Sequence, residues 1–138
     1  MVHTAERDVL LIERADHPGW WQSVTGSRDS LDEPLAGTAR REVFEETGID
    51  AGAALEDWTL SDTYSIYPEY RHRYAPGTIT NREHVFGLLV RRDVPVRLSP
   101  REHTAWRWLP AAEAATACFS RTNAAAIRRL TAAWSPPP

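Results

Sequence analysis

Residues 33–49 read EPLAGTARREVFEETGI. Pro34 suits the first turn of a helix, where its missing N–H costs little. Gly48 is a natural C-terminal stop. The stretch therefore predicts a helix from Pro34 to Thr47. On it Glu42, Glu45 and Glu46 stand at i, i+3 and i+4 and share one face, with Cβ atoms about 5–6 Å apart. Three carboxylates held so close repel one another. Either this is a solvated acidic face balanced by Arg40 and Arg41, or it is a seat for a hard divalent cation. Mg²⁺ takes oxygen ligands, often one or two carboxylates plus the oxygens of a phosphorylated substrate. Arg41, four residues before Glu45, can orient or neutralise one carboxylate. Val43 and Phe44 are expected to seat the helix on the core.

Outward from the helix, the pattern alternates between strand and helix. Asp8 to Arg14, centred on Val9-Leu10-Leu11-Ile12, reads as a buried strand. Ala15 to Gly19 is a turn, and Trp20 to Gly26 is extended. Ser27 to Asp32 is a polar loop. Leu55 to Tyr70 predicts a strand or hairpin, Arg71 to Arg82 a loop around Pro76-Gly77, and Glu83 to Arg91 a strand. Thr104 to Leu109 is a short strand, Pro110 opens an Ala-rich helix to Ala117, and Thr122 to Trp134 forms a second helix. Interleaved elements of this kind predict a mixed α/β (α+β) layered fold. It is expected to be one domain over 1–134, with 135–138 as a disordered tail.

Composition narrows the partners. The 138 residues are 42% hydrophobic and 25% charged, with a net charge of −3, which gives no sign of nucleic-acid binding. All 16 basic residues are Arg. That reflects genomic base composition or the match of guanidinium forks to phosphate. Cys118 is the single cysteine, so an internal disulfide is excluded and a reducing compartment is expected. Its neighbours Ala117 and Phe119 suit a buried structural thiol. No apolar run approaches the ~20 residues of a membrane span, and MVHTAERDVLLIER lacks a signal-peptide core. A soluble cytoplasmic protein without a membrane partner is expected, as a monomer or homodimer.

The helix resembles the Nudix signature, in which a Gly, five residues, a Glu and seven residues precede Arg-Glu-aliphatic-any-Glu-Glu-any-Gly-aliphatic. Arg41 to Ile49 matches the second half in full, and Glu33 lies at the right distance before Arg41. Gly26 is separated from Glu33 by six residues instead of five, a one-residue insertion in the loop. The resemblance implies a Nudix-type α/β/α sandwich with a mixed sheet and a phosphoanhydride hydrolase. It implies Mg²⁺, with Mn²⁺ as a substitute, held by Glu42, Glu46 and the later Glu102. Glu45 is then a further ligand or the general base, with Arg41 and Glu33 completing the catalytic group. Only Met1 to Thr4 precede the turn at Ala5-Glu6-Arg7, so either the sheet is short by most of its N-terminal strand or the true start lies upstream of Met1.

Segments outside the signature resemble the bacterial branch of the family that acts on dihydroneopterin triphosphate. They are Trp21 to Ser27, Arg71 to Gly77, Glu102-His103, Trp108-Leu109 and Ser120 to Asn123. By that resemblance Arg14, Thr25, Tyr64, Ser65, Ile66, Tyr67 and Ser120 contact the substrate. Arg14 could equally be a solvated strand-end charge, and Tyr64 and Tyr67 ordinary strand aromatics. The expected reaction converts dihydroneopterin triphosphate to its monophosphate and pyrophosphate, an early step of folate biosynthesis. A broader (d)NTP or oxidised-nucleotide pyrophosphatase is the alternative. A non-catalytic nucleotide-sensing module is a third reading, disfavoured by the intact carboxylate set.

Overall fold

The run Val9-Leu10-Leu11-Ile12 is buried throughout, each residue at most 1% exposed. Side chains alternate along a strand, so the run serves two cores at once. Val9 and Leu11 pack with Ala114, Ala124 and Ile127, whereas Leu10 packs with Val43, Ile49 and Leu88. Each fully buried aliphatic side chain contributes roughly 1.5–3 kcal/mol. A sheet with an apolar layer on each face is thus built into four residues.

The computed structural model describes residues 1–131. The elements are β1 (Val2–His3), β2 (Asp8–Arg14), β3 (Trp21–Gln22), α1 (Leu35–Thr47), β4 (Leu55–Ser65), β5 (Thr80–Leu89), β6 (His103–Pro110), α2 (Ala111–Ala117) and α3 (Arg121–Ile127). Short 3-10 turns occupy Pro68–Arg73 and Arg128–Leu130. The sheet is mixed. β1 runs parallel to β5 and antiparallel to β2, while β4–β5, β2–β3 and β2–β6 are antiparallel. α1 packs beside Leu10 and Leu88 on one face, and α2 and α3 beside Val9 and Leu11 on the other. This is the expected sandwich. No described helix is long and apolar enough to cross a membrane.

Several boundaries move for physical reasons. The extended stretch after Trp20 keeps only Trp21–Gln22 as ladder, because the Ser23 N–H donates to the Asn123 side chain. The strand from Leu55 ends at Ser65 and Pro68 opens a 3-10 turn. Its register slips between Asp57 and Leu60, where Thr59 adopts φ 51°. β5 starts at Thr80 instead of Glu83. The last helix closes at Ile127 and tightens into 3-10 form. The expected remainder up to Trp134 and the tail at 135–138 lie outside the described residues. β1 has two residues, yet it bridges β2 and β5 in the centre of the sheet.

α1 behaves as the sequence requires at its ends, with Pro34 as N-cap and Gly48 at φ 74° donating to the Phe44 carbonyl. Its packing differs from expectation. Val43 is buried, but Phe44 is 56% exposed and takes no part in seating the helix. The other buried positions are Thr38, Glu46 and Thr47. A helix that turns two threonines and a glutamate inward gains little from apolar burial, which marks this face for chemistry.

Candidate active site

Glu46 is 6% exposed, and its Oε2 has no hydrogen-bond partner. Burial first, then the charges of Glu42 and Glu102, push its carboxyl up to about 9. A backbone hydrogen bond from Thr25, in the extension of β3, offsets part of this. Glu42 is shifted upward as well, mainly by burial and against the pull of Arg41. A carboxylate left unpaired in a low-dielectric site is costly. A divalent cation would remove the repulsion and satisfy the orphaned oxygen, so the residues present fit one. Ligand atoms of Glu46, Glu102 and His103 lie within 4.8 Å of one another.

Distant chain segments assemble this group. Arg14 pairs with His103 across a register shift in the β2–β6 ladder, and the Ala15 N–H donates to the Glu102 carbonyl at 2.9 Å. The turn before β6 is closed by the Ser99 carbonyl, which accepts from the N–H groups of Glu102 and His103. Glu102 is thereby delivered to the open side of α1, beside Glu46.

Arg41 ties the helix to its preceding loop. Its guanidinium donates to both Glu33 oxygens at 3.0 Å, to Glu42 at 3.0 Å, to Glu45 at 3.2 Å and to the Ser27 carbonyl at 2.8 Å. Glu33 also accepts from Thr38 and from the Asp29 N–H. These donors, Arg41 first, hold the Glu33 carboxyl down at about 2. The loop containing the extra residue therefore closes back on Arg41 and Glu33. Glu45 stands apart from its helical neighbours. Its side chain is 52% exposed, and Glu42 and Glu46 line the central cleft where Glu45 does not.

That cleft is open and about 1750 Å³ in volume. Arg14, Thr25, Tyr64, Ser65, Tyr67 and Ser120 all line it, together with Glu102. Ile66 does not, because its side chain is 3% exposed and turned into the protein. Arg14 is not a loose strand-end charge. It makes a two-pronged ion pair with Asp16 at 2.8 Å, and its head lies 5.2 Å from the Tyr70 ring. Arg14 in turn holds Asp16 down at about 2. Tyr67 meets Trp20 and Tyr70, and Trp20 stacks on both His17 and Phe119. Ser120 caps α3 by accepting from the Asn123 N–H at 3.3 Å.

Sequence reasoning missed His103 as a member of this site. The residue is 4% exposed, its Nδ1 is unpartnered, and burial pushes it down to about 4. Its place directly after Glu102 was the available signal. Only tertiary packing reveals that the side chain turns inward against Gln22.

A helix that buries a glutamate and turns a second one, Glu42, into an open cleft befits a hydrolytic enzyme of the α/β/α class. The NUDIX domain family matches residues 1–133, and the chain belongs to that family as a Nudix pyrophosphohydrolase. It is 40% identical over 127 residues to the dihydroneopterin triphosphate diphosphatase of Escherichia coli K12, spanning 88% of this chain and 81% of that protein. The Haemophilus influenzae protein of the same name is 38% identical over 124 residues, spanning 88% and 77%. The solved structure of the E. coli dihydroneopterin triphosphate pyrophosphohydrolase superposes with a TM-score of 0.84 at 36% identity, covering 93% of this chain and 88% of that one.

Proposed function

We propose that this enzyme hydrolyses dihydroneopterin triphosphate to dihydroneopterin monophosphate and pyrophosphate, with Mg²⁺ or Mn²⁺ as cofactor. One observation carries the chemistry: Glu46 is buried with an orphaned oxygen and faces Glu42 and Glu102 in an open cleft. The substrate is supported by two relatives near 40% identity with that activity in their names. Water adds across the anhydride between the α- and β-phosphates. One fragment keeps the pterin and one phosphate, and the other leaves as pyrophosphate.

In this reading Glu42, Glu46 and Glu102 hold the cation, which acidifies water and draws charge from phosphate oxygens when bound. His103 braces the group from the buried side. Phosphoryl transfer depends chiefly on positioning and charge neutralisation, and the chain supplies both. Arg41 fixes Glu42 and holds the loop from Ser27 to Glu33 in place. Glu45 lies outside the cleft lining and reaches it through solvent. That suits accepting a proton from the attacking water better than direct ligation. Thr25, Tyr64, Ser65, Tyr67 and Ser120 line the substrate's path. Arg14 gives up part of its contact with Asp16 to a phosphate.

A substrate panel tests the proposal. Purified protein with Mg²⁺ or Mn²⁺ is given dihydroneopterin triphosphate, dATP, dGTP and 8-oxo-dGTP, and pyrophosphate release is followed. The pterin is expected to have the highest kcat/KM. A nucleotide that exceeds it would replace this substrate.

A further inference from the structure

One carboxylate of the cleft takes no part in the group around Glu46. Glu83 lies on β5 two residues from Val85, so the two share a face of the sheet. Val85 packs against the core that α2 and α3 cover, whereas Leu88 belongs to the core that holds Val43 of α1. Glu83 therefore faces α3, and the Met1 amino group at the start of β1 feels the charge of both Glu83 and Glu46. It lines the same cleft, as do Tyr64, Phe119 and Asn123.

Its partners are neutral. Oε1 accepts from Asn123 Nδ2 at 3.5 Å, and Thr122 supplies a further side-chain hydrogen bond. Asn123 is 3% exposed, and its Oδ1 is committed to the Ser23 N–H at 2.9 Å. That fixes the amide so that its NH₂ points at Glu83. Among the described residues no Arg or His forms an ion pair with Glu83. The charges that act on it are the Met1 amino group and Asp62, its register partner on β4. Burial raises its carboxyl above the ordinary range. Such a half-buried acceptor, held by neutral donors beside aromatic walls, is suited to a ligand that brings donors of its own.

We propose that Glu83, positioned by Asn123, reads the amino-oxo edge that a pterin (2-amino-4-oxo) shares with guanine (2-amino-6-oxo) and makes this cleft selective for that ring class. The edge presents two parallel donors, the ring N–H (N3 in pterin, N1 in guanine) and the exocyclic amine, to the two oxygens of one carboxylate. Adenine presents a lone pair at the matching ring nitrogen, which a carboxylate repels. A site built around such bonds rejects a ligand that lacks them, because its polar group is then left unpaired. The ring lies on the α3 side of the sheet and the phosphates extend toward Glu42, Glu46 and Glu102. The two acidic groups thus set the ligand's direction. The inference deepens the pterin triphosphate reading and rests on it for the natural substrate, but base preference can be read separately.

The test uses the whole chain with Mg²⁺ and the non-hydrolysable α,β-methylene analogues of GTP and ATP, measured by calorimetry. Wild type is expected to bind the guanine analogue about ten- to a hundredfold more tightly, the range for hydrogen bonds to a charged group. Glu83→Gln keeps an acceptor for Asn123 but turns a donor toward the ring. It should bring the ratio near one by losing guanine affinity alone, and raise KM for dihydroneopterin triphosphate with kcat little changed. Should that variant not fold, Glu83→Asp withdraws the charge by one methylene and should shrink the ratio at unchanged adenine affinity. Equal affinities in wild type, failure to bind either analogue, an unchanged ratio in the variants, or equal loss for both bases would overturn the proposal. No turnover of the pterin with the guanine preference intact would sink the substrate reading and leave the role of Glu83 standing.

Discussion

Gly26 is pressed against Glu42: a Cβ built on Gly26 would overlap the Glu42 carboxyl. The glycine is needed here for close approach, since its φ is not in the left-handed region. The one-residue insertion between Gly26 and Glu33 leaves both ends of the loop in contact with α1. Gly26 meets Glu42 at one end, and Glu33 meets Arg41 and Thr38 at the other. The surplus residue is absorbed between them, where the chain turns at Asp29 to Glu33.

Gly26→Ala is expected to push the Glu42 side chain off its position while leaving the fold intact, because the overlapping atoms belong to a side-chain end. A displacement of about 1 Å at a catalytic centre costs on the order of 10²-fold in rate. Turnover and cation affinity should both fall, with far-UV circular dichroism unchanged. An alanine variant with wild-type kcat would show that Glu42 does not need this position.

Glu46 makes stability depend on pH and on cation together. Burial and the neighbouring carboxylates push its folded carboxyl up to about 9, from an ordinary value near 4.5. For an acid raised in this way, the protonated form belongs to the fold. Its contribution is present below about pH 4.5 and is lost as pH rises toward 9. In EDTA, Tm should therefore decline across that window. Added Mn²⁺ should raise Tm most at its alkaline end, where the cation no longer competes with a proton. Glu46→Gln should flatten both trends and abolish turnover by several orders of magnitude. A cation-induced Tm shift of equal size at pH 5 and pH 9 would contradict the assignment.

Arg41→Lys tests whether the guanidinium fork or only its charge matters. The arginine touches Glu33, Glu42, Glu45 and the Ser27 carbonyl at once, and a lysine ammonium cannot span that set. Losing an outer partner of a cation ligand typically costs about 10- to 100-fold. A decrease of that size in kcat, with a weaker cation midpoint, is expected in steady-state assays. Full activity in the lysine variant would reduce Arg41 to a counter-charge.

Cys118 is a packing thiol. It sits among the residues packed against the α2–α3 core, and burial pushes its thiol up to about 11. Iodoacetamide at pH 8 should label the native protein far more slowly than the denatured one, because the thiolate is the reactive form. Equal labelling rates in the two states would refute this.

Much of the candidate site was legible in residues 33–49, because α-helical spacing alone dictates which of those side chains are neighbours. Arg41 and Glu45 do meet as an i, i+4 pair. The limit appears within the same helix. Glu42 and Glu46 line the cleft and Glu45 does not, and Phe44 is exposed where its apolar character suggested burial. Periodicity gives a side chain's angle around the helix axis, but which part of that circle is covered depends on what packs there.

The sequence by itself determined the strand at Val9 to Ile12, the helix and its two ends, and the family signature, since each follows from short-range spacing and backbone preference. Tertiary structure decided the rest. It brought Glu102 and His103 to Glu46 and joined Asn123 to Ser23 across a hundred residues. It also left one carboxylate buried at about 9 while another was held at about 2. The physical reason is that charge, burial and hydrogen bonding are properties of a place, and residues from distant parts of the chain create that place only on folding.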